Sequence, residues 1–299
     1  MFEVIVIGGS SAGLSAALTL GRARRRAIVF DDGKPCNRFS HASHGFLTRD
    51  GVHPADLLAL GREQLARYET VALRNARVTA VESVEGGFRV ATGTGDPVQA
   101  RALLLATGIQ DVLPQIDGLE PLWGASVFHC PYCDGWEVRD QPLAVYGADK
   151  PAFHKALMLT QWTDKLTLCT DGAPDLNQEQ RATLQRHNVR IIDQPVTRLQ
   201  ATGDRLEQIV FADGSALDCA ALFISPKMKH RTPFAEMLGC ALTEQGYVQA
   251  DAQGRTSVPG VYAAGDLASP MRSVANAVAQ GAAAGAGINA DMIMAAAGV

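Results

Sequence analysis

The chain opens with a short β-branched run at residues 2–7 that enters Gly8-Gly9-Ser10-Ser11-Ala12-Gly13, and residues 14–20 then read as a helix. Strand, glycine turn and helix together are the fingerprint of a parallel α/β unit that binds a dinucleotide, with a loop that holds no ligand as the alternative. The glycines let the backbone approach a pyrophosphate, and the first amides of the helix, with its dipole, face the negative charge. A second strand at 27–30 ends at Asp31, about twenty residues beyond the turn, where a carboxylate can accept hydrogen bonds from a ribose hydroxyl. Ser10 holds the middle position, where glycine allows the closest approach, and serine is the mildest replacement for it. The design returns later in the chain. A strand at 143–146 is followed by Gly147-Ala148-Asp149-Lys150-Pro151-Ala152, a helix at 152–160 and a further strand at 166–169. With 299 residues the length fits about two domains.

Between these units, residues 76–82 and 87–91 alternate like strands joined by Gly86-Gly87, and 54–68 is an amphipathic helix. A buried strand at 103–105 ends at Ala106-Thr107-Gly108, with Pro114 soon after. Hairpin-like segments follow at 196–200 and 208–212, and a strand at 221–224 closes the second unit. Near the end of the chain, residues 257–264 form a strand that runs into Gly265-Asp266, and a helix begins near Ser273. That element has no nucleotide fold of its own, so it completes the first one. The expected architecture is α/β with two Rossmann-like domains. The first is discontinuous, at 1–112 and 241–299, and the second spans 113–240.

The second unit carries His129-Cys130-Pro131-Tyr132-Cys133-Asp134-Gly135-Trp136-Glu137. Two thiols at this spacing can close a small disulfide at the start of a helix, where partial positive charge favours thiolate, and an acid stands directly behind them. Cys-X-X-Cys is a redox pair, half of a zinc site, or two inert thiols. Zinc needs further ligands at short spacing, and Cys36, Cys169, Cys219 and Cys240 are scattered singly. His41, His44 and His53, in and just after the irregular stretch 34–51, lack the spacing of metal ligands. Trp136 is expected to pack inside, and Cys36 reads as a partly buried bystander.

Composition narrows the function classes. Lysine and arginine total 27 against 31 acids, a net charge of −4, which offers no footprint for nucleic acid or an anionic membrane. Glu3 stands where an export signal carries positive charge. Six unevenly spaced cysteines fit a reducing, cytoplasmic compartment. Gly281 and Gly285 form a small-xxx-small pattern, but Asn276, Gln280, Asn289 and Asp291 share that segment and would be costly in lipid. Close packing of a helix on another backbone is the reading for it.

The order of landmarks, Gly8 to Gly13, Ala106-Thr107-Gly108, Cys130 to Asp134, Gly147, then Ala263-Ala264-Gly265-Asp266, resembles the low-molecular-weight thioredoxin reductases and their flavoprotein relatives across nearly the whole chain. The resemblance implies FAD in the first domain, a redox-active Cys-X-X-Cys on the second, a two-stranded linker and a homodimer. It implies that Gly8, Ser10, Ala12 and Gly13 line the FAD pyrophosphate, that Asp31 takes the adenosine ribose, and that Thr107 and Gly108 sit under the cofactor. Gly265 and Asp266 would hold the ribityl or pyrophosphate end, and the Val274 amide, beside Ser273 where relatives carry glutamine, would face the flavin. In the same way Cys133 faces the flavin, Cys130 meets the substrate, and Asp134 moves the proton, with His129 as a second candidate.

Two features depart from the family. Asp149 stands at the central glycine position of the second turn, and Thr170-Asp171-Gly172 replaces the His-Arg-Arg cluster that clamps the NADPH 2′-phosphate, while Asp171 keeps open a use of NADH. The leading expectation is an FAD-dependent disulfide oxidoreductase that works independently of NADPH with a thioredoxin-like protein or small-molecule dithiol. An electron-carrier protein or oxygen would complete the electron flow. An ordinary NAD(P)H-dependent thioredoxin reductase, a dithiol oxidase using oxygen, a flavin-free glutaredoxin-like carrier and a non-enzymatic flavin sensor are the competing classes.

Overall fold

The computed structural model describes residues 2–172 and 176–298, which divide into two compact units. In the first, five parallel strands run in the order Val261–Ala263, Ala102–Leu105, Val4–Ile7, Ala27–Asp31, Val71–Asn75. Strands Val4–Ile7 and Ala102–Leu105 are buried at every residue, as a parallel sheet covered on both faces requires. One core contains Val4, Val6, Leu20 and Leu104; the other contains Ile5, Phe30, Leu103 and Val261. An antiparallel sheet of Val78–Val84, Gly87–Thr92 and Val98–Ala100 packs Val81, Phe88 and Val90 into the second core. The late strand Val261–Ala263 pairs with Ala102–Leu105, and the chain from Lys229 onward groups with the first unit.

Helices Ser11–Arg22 and Val274–Ala297 cross on glycine. A Cβ on Gly281 would lie 2.1 Å from the Ala12 carbonyl oxygen, and one on Gly285 would lie 2.8 Å from that of Ala16. The small-residue spacing therefore serves helix-on-helix packing. No helix among the described residues is long and apolar enough to cross a membrane. Gly281→Ala should destabilise the protein by about 2 kcal/mol, because overpacking against backbone outweighs the ~1 kcal/mol that alanine gains in a helix. A thermal unfolding midpoint at or above that of the wild type would contradict this close approach.

The second unit repeats the plan with five parallel strands in the order Arg190–Ile192, Leu166–Cys169, Leu143–Tyr146, Ala221–Ile224, Val127–Phe128. An antiparallel sheet of Val196–Thr202, Arg205–Phe211 and Ala216–Asp218 accompanies it. Strands Ile109–Val112 and Lys227–His230, which carry the chain between the units, pair with each other. The second crossing falls at Lys229 rather than at 241. Its cause is local: Phe234 and Ala235 of the short helix Phe234–Met237, with Cys240 and Val248, are part of the first unit's core. The short stretch Phe39–His44 groups with the second unit, where Phe39 backs Gly124 and His41 pairs with Asp204 at 3.1 Å.

Candidate active site

In the first unit, Gly8 takes φ +110°, and a Cβ there would fall 2.1 Å from the Ala106 carbonyl oxygen. One on Gly13 would fall 1.8 Å from the oxygen of Gly8, and one on Gly9 would meet the Asp31 Cβ at 2.7 Å. Only glycine fits this turn. Ser10 is the N-cap of helix Ser11–Arg22, and its side chain makes no capping bond, so the first amides of that helix face outward without a side-chain acceptor. Thr107 Oγ1 is buried with no hydrogen-bond partner among the described residues. Gly108 and Gly265 take φ +64° and +78°. An uncapped helix, a glycine cradle and an orphaned hydroxyl together fit a bound dinucleotide.

The flanking residues are held by partners that the sequence did not point to. Asp31 Oδ2 accepts from Arg62 Nη2 at 2.7 Å, and its Oδ1 accepts from the Gly33 amide at 3.3 Å. The Gly265 amide donates to Gln280 Oε1 at 2.9 Å. Arg272 Nε lies 3.7 Å from Asp266 Oδ2, and its Nη2 lies 3.2 Å from the half-buried Cys36. At helix Val274–Ala297 the Ser273 hydroxyl takes the Asn276 amide at 3.1 Å. The amides of Val274 and Ala275 lie between Ser273 and the Asn276 amide that it caps.

In the second unit, Cys130 is the extended N-cap of a single helical turn, Pro131–Asp134, and the Asp134 amide donates to the Cys130 carbonyl at 3.2 Å. A turn this short has little dipole, so the thiol is tuned by its neighbours instead. A hydrogen bond from the Cys133 thiol is the largest influence; the amides of Cys133 and Tyr132 and the positive charge of Lys155 act in the same direction. Against the opposing effect of burial they bring the Cys130 thiol down to about 7. Asp134 moves the other way, up to about 7, through burial first and then the negative charges of Cys130 and Glu137. His44 stands 3.5 Å from Glu137.

Lys155 and Gly135 escaped sequence reasoning. The Lys155 Nζ donates to the His129 carbonyl at 2.6 Å and also to that of Ile224. A Cβ on Gly135 would lie 2.5 Å from the Pro131 carbonyl oxygen and 3.0 Å from Trp162 Nε1, so the turn presses on that indole. Trp136, expected inside, is 65% exposed; the Arg139 guanidinium covers its ring at 3.9 Å, which removes the need for burial. Tyr132 is also exposed and meets the edge of Trp162 at 5.6 Å. The described residues contain no group of three or more potential metal ligands.

The second glycine turn is closed from within. Asp149 caps helix Lys150–Leu159, its Oδ1 accepting from the Ala152 amide at 2.9 Å, while its carbonyl accepts from Phe153 at 3.1 Å and Pro151 has no amide to offer. Asp171, at φ +58°, accepts from the Val196 amide at 2.8 Å with Oδ1 and from the Tyr146 hydroxyl at 2.5 Å with Oδ2. Arg181, the arginine nearest in sequence on the following helix, pairs with Asp193 at 2.8 Å, and Thr170 donates to the same carboxylate at 2.7 Å.

The pyridine nucleotide-disulphide oxidoreductase family model matches residues 2–281. A thioredoxin reductase from Leptosphaeria maculans, sirT, is 33% identical over 97% of this chain and 94% of its own length. Among solved structures, an oxidoreductase from Agrobacterium tumefaciens is 40% identical, with a TM-score of 0.93 over 98% of this chain and 99% of that one. A Bacillus anthracis protein described as thioredoxin reductase TrxB is 34% identical, with a TM-score of 0.93 over 99% and 100% of the two chains. With a glycine cradle that fits a dinucleotide and a match along almost its entire length, the chain belongs to the pyridine nucleotide-disulphide oxidoreductases, as an FAD-dependent enzyme of thioredoxin-reductase type.

Proposed function

We propose that this enzyme exchanges electrons between FAD, the Cys130/Cys133 pair and an external dithiol or disulfide, and that it does so independently of NADPH. Bound FAD supplies two-electron acceptor or donor chemistry to the pair. Gly8, Ser10, Ala12, Gly13, Asp31, Thr107, Gly108, Gly265, Asp266 and Val274 are the residues proposed to hold it. Cys130 is the outer thiol. Its thiolate attacks a substrate disulfide, forming a mixed disulfide and releasing one substrate sulfur as thiolate; Cys133 then attacks the Cys130 sulfur, closing the pair and releasing the second. The reverse sequence oxidises a dithiol.

The observation that carries this reading is the placement of Cys130, Cys133 and Asp134 on one turn, with the Asp134 amide on the Cys130 carbonyl, since burial and the Cys130 charge push the Asp134 carboxyl up and let it hold the proton that the thiolate lacks. Asp134 protonates the departing sulfur or takes its proton. The outer partner is a thioredoxin-like protein, as the relatives' names imply, or a small dithiol. An electron-carrier protein or oxygen serves as the other redox partner. A homodimer in a cytoplasmic setting completes the proposal. Independence of NADPH rests on the self-filled second turn, where Asp149 and Pro151 leave a phosphate few helix amides. Both Asp171 oxygens are engaged as well, which argues against NADH.

Asp134→Asn tests the proton role. Thiol exchange should slow by about 10²- to 10⁴-fold with both thiols and FAD retained; a wild-type rate across the pH range would remove Asp134 from the reaction. A second readout follows from linkage. The carboxyl is raised on folding, so its contribution to stability is complete below its unfolded value and is lost as pH rises through about 7. The lowered Cys130 thiol works oppositely, gaining stability above about 7. Wild type should therefore lose, between pH 5 and 8, on the order of 2–4 kcal/mol that Asp134→Asn does not lose. Parallel stability curves for the two proteins would contradict the raised carboxyl.

A further inference from the structure

Helix Lys150–Leu159 begins where a nucleotide fold would present amides to phosphate, yet Asp149 caps that end. About one and a half turns in, its Lys155 reaches the carbonyl of His129, the residue just ahead of Cys130, and the carbonyl of Ile224, at the end of the neighbouring strand Ala221–Ile224. A lysine ammonium has three donors and no acceptor, so two carbonyls can fix its position without themselves neutralising its charge. We propose that Lys155 is a positioning residue for Cys130: its ammonium fixes the backbone that leads into the thiol and sets a positive charge beside it. Three features converge on this assignment. The carbonyl just past strand Val127–Phe128 and the one that ends strand Ala221–Ile224 meet at one Nζ, the helix that carries it has its phosphate-facing end capped by Asp149, and the lysine's charge favours the Cys130 thiolate.

The groups around Cys130 can be separated. Cys133 and Asp134 face it from its own turn, Glu137 acts on Asp134 and is paired with His44, and Lys155 acts on it as a cation from another element. Removing the lysine charge leaves the Cys133 hydrogen bond and the local amides in place. The Cys130 titration should then move part of the way back toward the ordinary thiol range.

The proposal deepens the exchange reading given above, and its test does not depend on turnover. In the reduced, FAD-loaded enzyme, the rate of Cys130 carbamidomethylation by iodoacetamide is followed against pH by peptide mass spectrometry. Wild type should show a midpoint near 7. Lys155→Met should raise the midpoint by about half a pH unit, slowing modification at neutral pH about twofold. Lys155→Gln, which keeps an amide donor for the carbonyls but no charge, should shift likewise, and Lys155→Arg should stay near wild type. If the methionine variant does not fold, the glutamine profile alone decides. Wild-type profiles for folded Met or Gln variants would overturn the assignment even if Cys130 still proved to be the outer thiol. A shifted profile would support it whatever the substrate turns out to be.

Discussion

Micromolar NADPH, mixed anaerobically with the oxidised FAD-loaded enzyme, should leave the flavin absorbance band unbleached, whereas dithionite or a small dithiol should bleach it. A nucleotide phosphate needs backbone amides at the helix start and a cationic clamp on the 2′-phosphate. Here the Ala152 amide is taken by Asp149, Pro151 offers none, and the Asp149 carboxylate would oppose the pyrophosphate at close range. Arg181 is spent on Asp193, and Asp171 on Val196 and Tyr146. Losing two charge-assisted interactions forfeits about 3–6 kcal/mol, or roughly 10²- to 10⁴-fold in affinity, before the carboxylate repulsion is added. Stopped-flow spectroscopy reads the outcome directly. Rapid bleaching by NADPH would return the enzyme to the ordinary NADPH-dependent reductases, and bleaching by NADH alone would mean that Asp171 can leave its present partners. Bleaching by dithiol, followed by recovery in oxygen, would identify a dithiol oxidase.

Cys130→Ser and Cys133→Ser should each abolish dithiol turnover while FAD stays bound, because exchange requires both sulfurs in sequence. The two variants should differ in what they trap. With Cys133 replaced, a disulfide substrate should remain attached to Cys130 as a mixed disulfide, detected as an added mass that a reductant removes. With Cys130 replaced, no adduct should form at Cys133. An adduct in the second variant and none in the first would reverse the inner and outer thiols. The Lys155 experiment would keep its meaning in that case, since it reports on Cys130 chemistry alone.

The central strands were legible because each is a short apolar run buried on both faces, as at Val4–Ile7, Leu143–Tyr146 and Ala221–Ile224. Two of the edge strands escaped notice. Val71–Asn75 carries Arg74 and Asn75, and Arg190–Ile192 is too short to show a period. Helix Gln178–Arg186 buries only Leu184, so its evidence lay in the capping box of Asn177 and Gln180 rather than in an apolar stripe. At the candidate site, spacing pointed to Cys130, Cys133 and Asp134, which the structure sets on one turn. Lys155 was invisible: its role depends on two carbonyls that only the sheet brings within its reach. Asp149 was read as a charge opposing phosphate, and the structure adds that the same carboxylate serves as the helix cap.

The discontinuity of the first unit sets an order of events during synthesis. Almost all of the second unit, Asp111–Met228, leaves the ribosome as one stretch and has its five strands in hand before Val261 is made. The first unit must wait. Strand Ala102–Leu105 is fully buried in the finished sheet and pairs on one side with Val261–Ala263, so until that segment emerges it presents a bare apolar edge for roughly 10–30 s at ordinary elongation rates. Helix Ser11–Arg22 likewise waits for Val274–Ala297 to cover its small-residue face. The nascent first unit is thus most exposed to mispairing and to chaperone capture at its earlier-made strand and helix, and emergence of helix Val274–Ala297 from the ribosome is the event that closes the dinucleotide-binding unit.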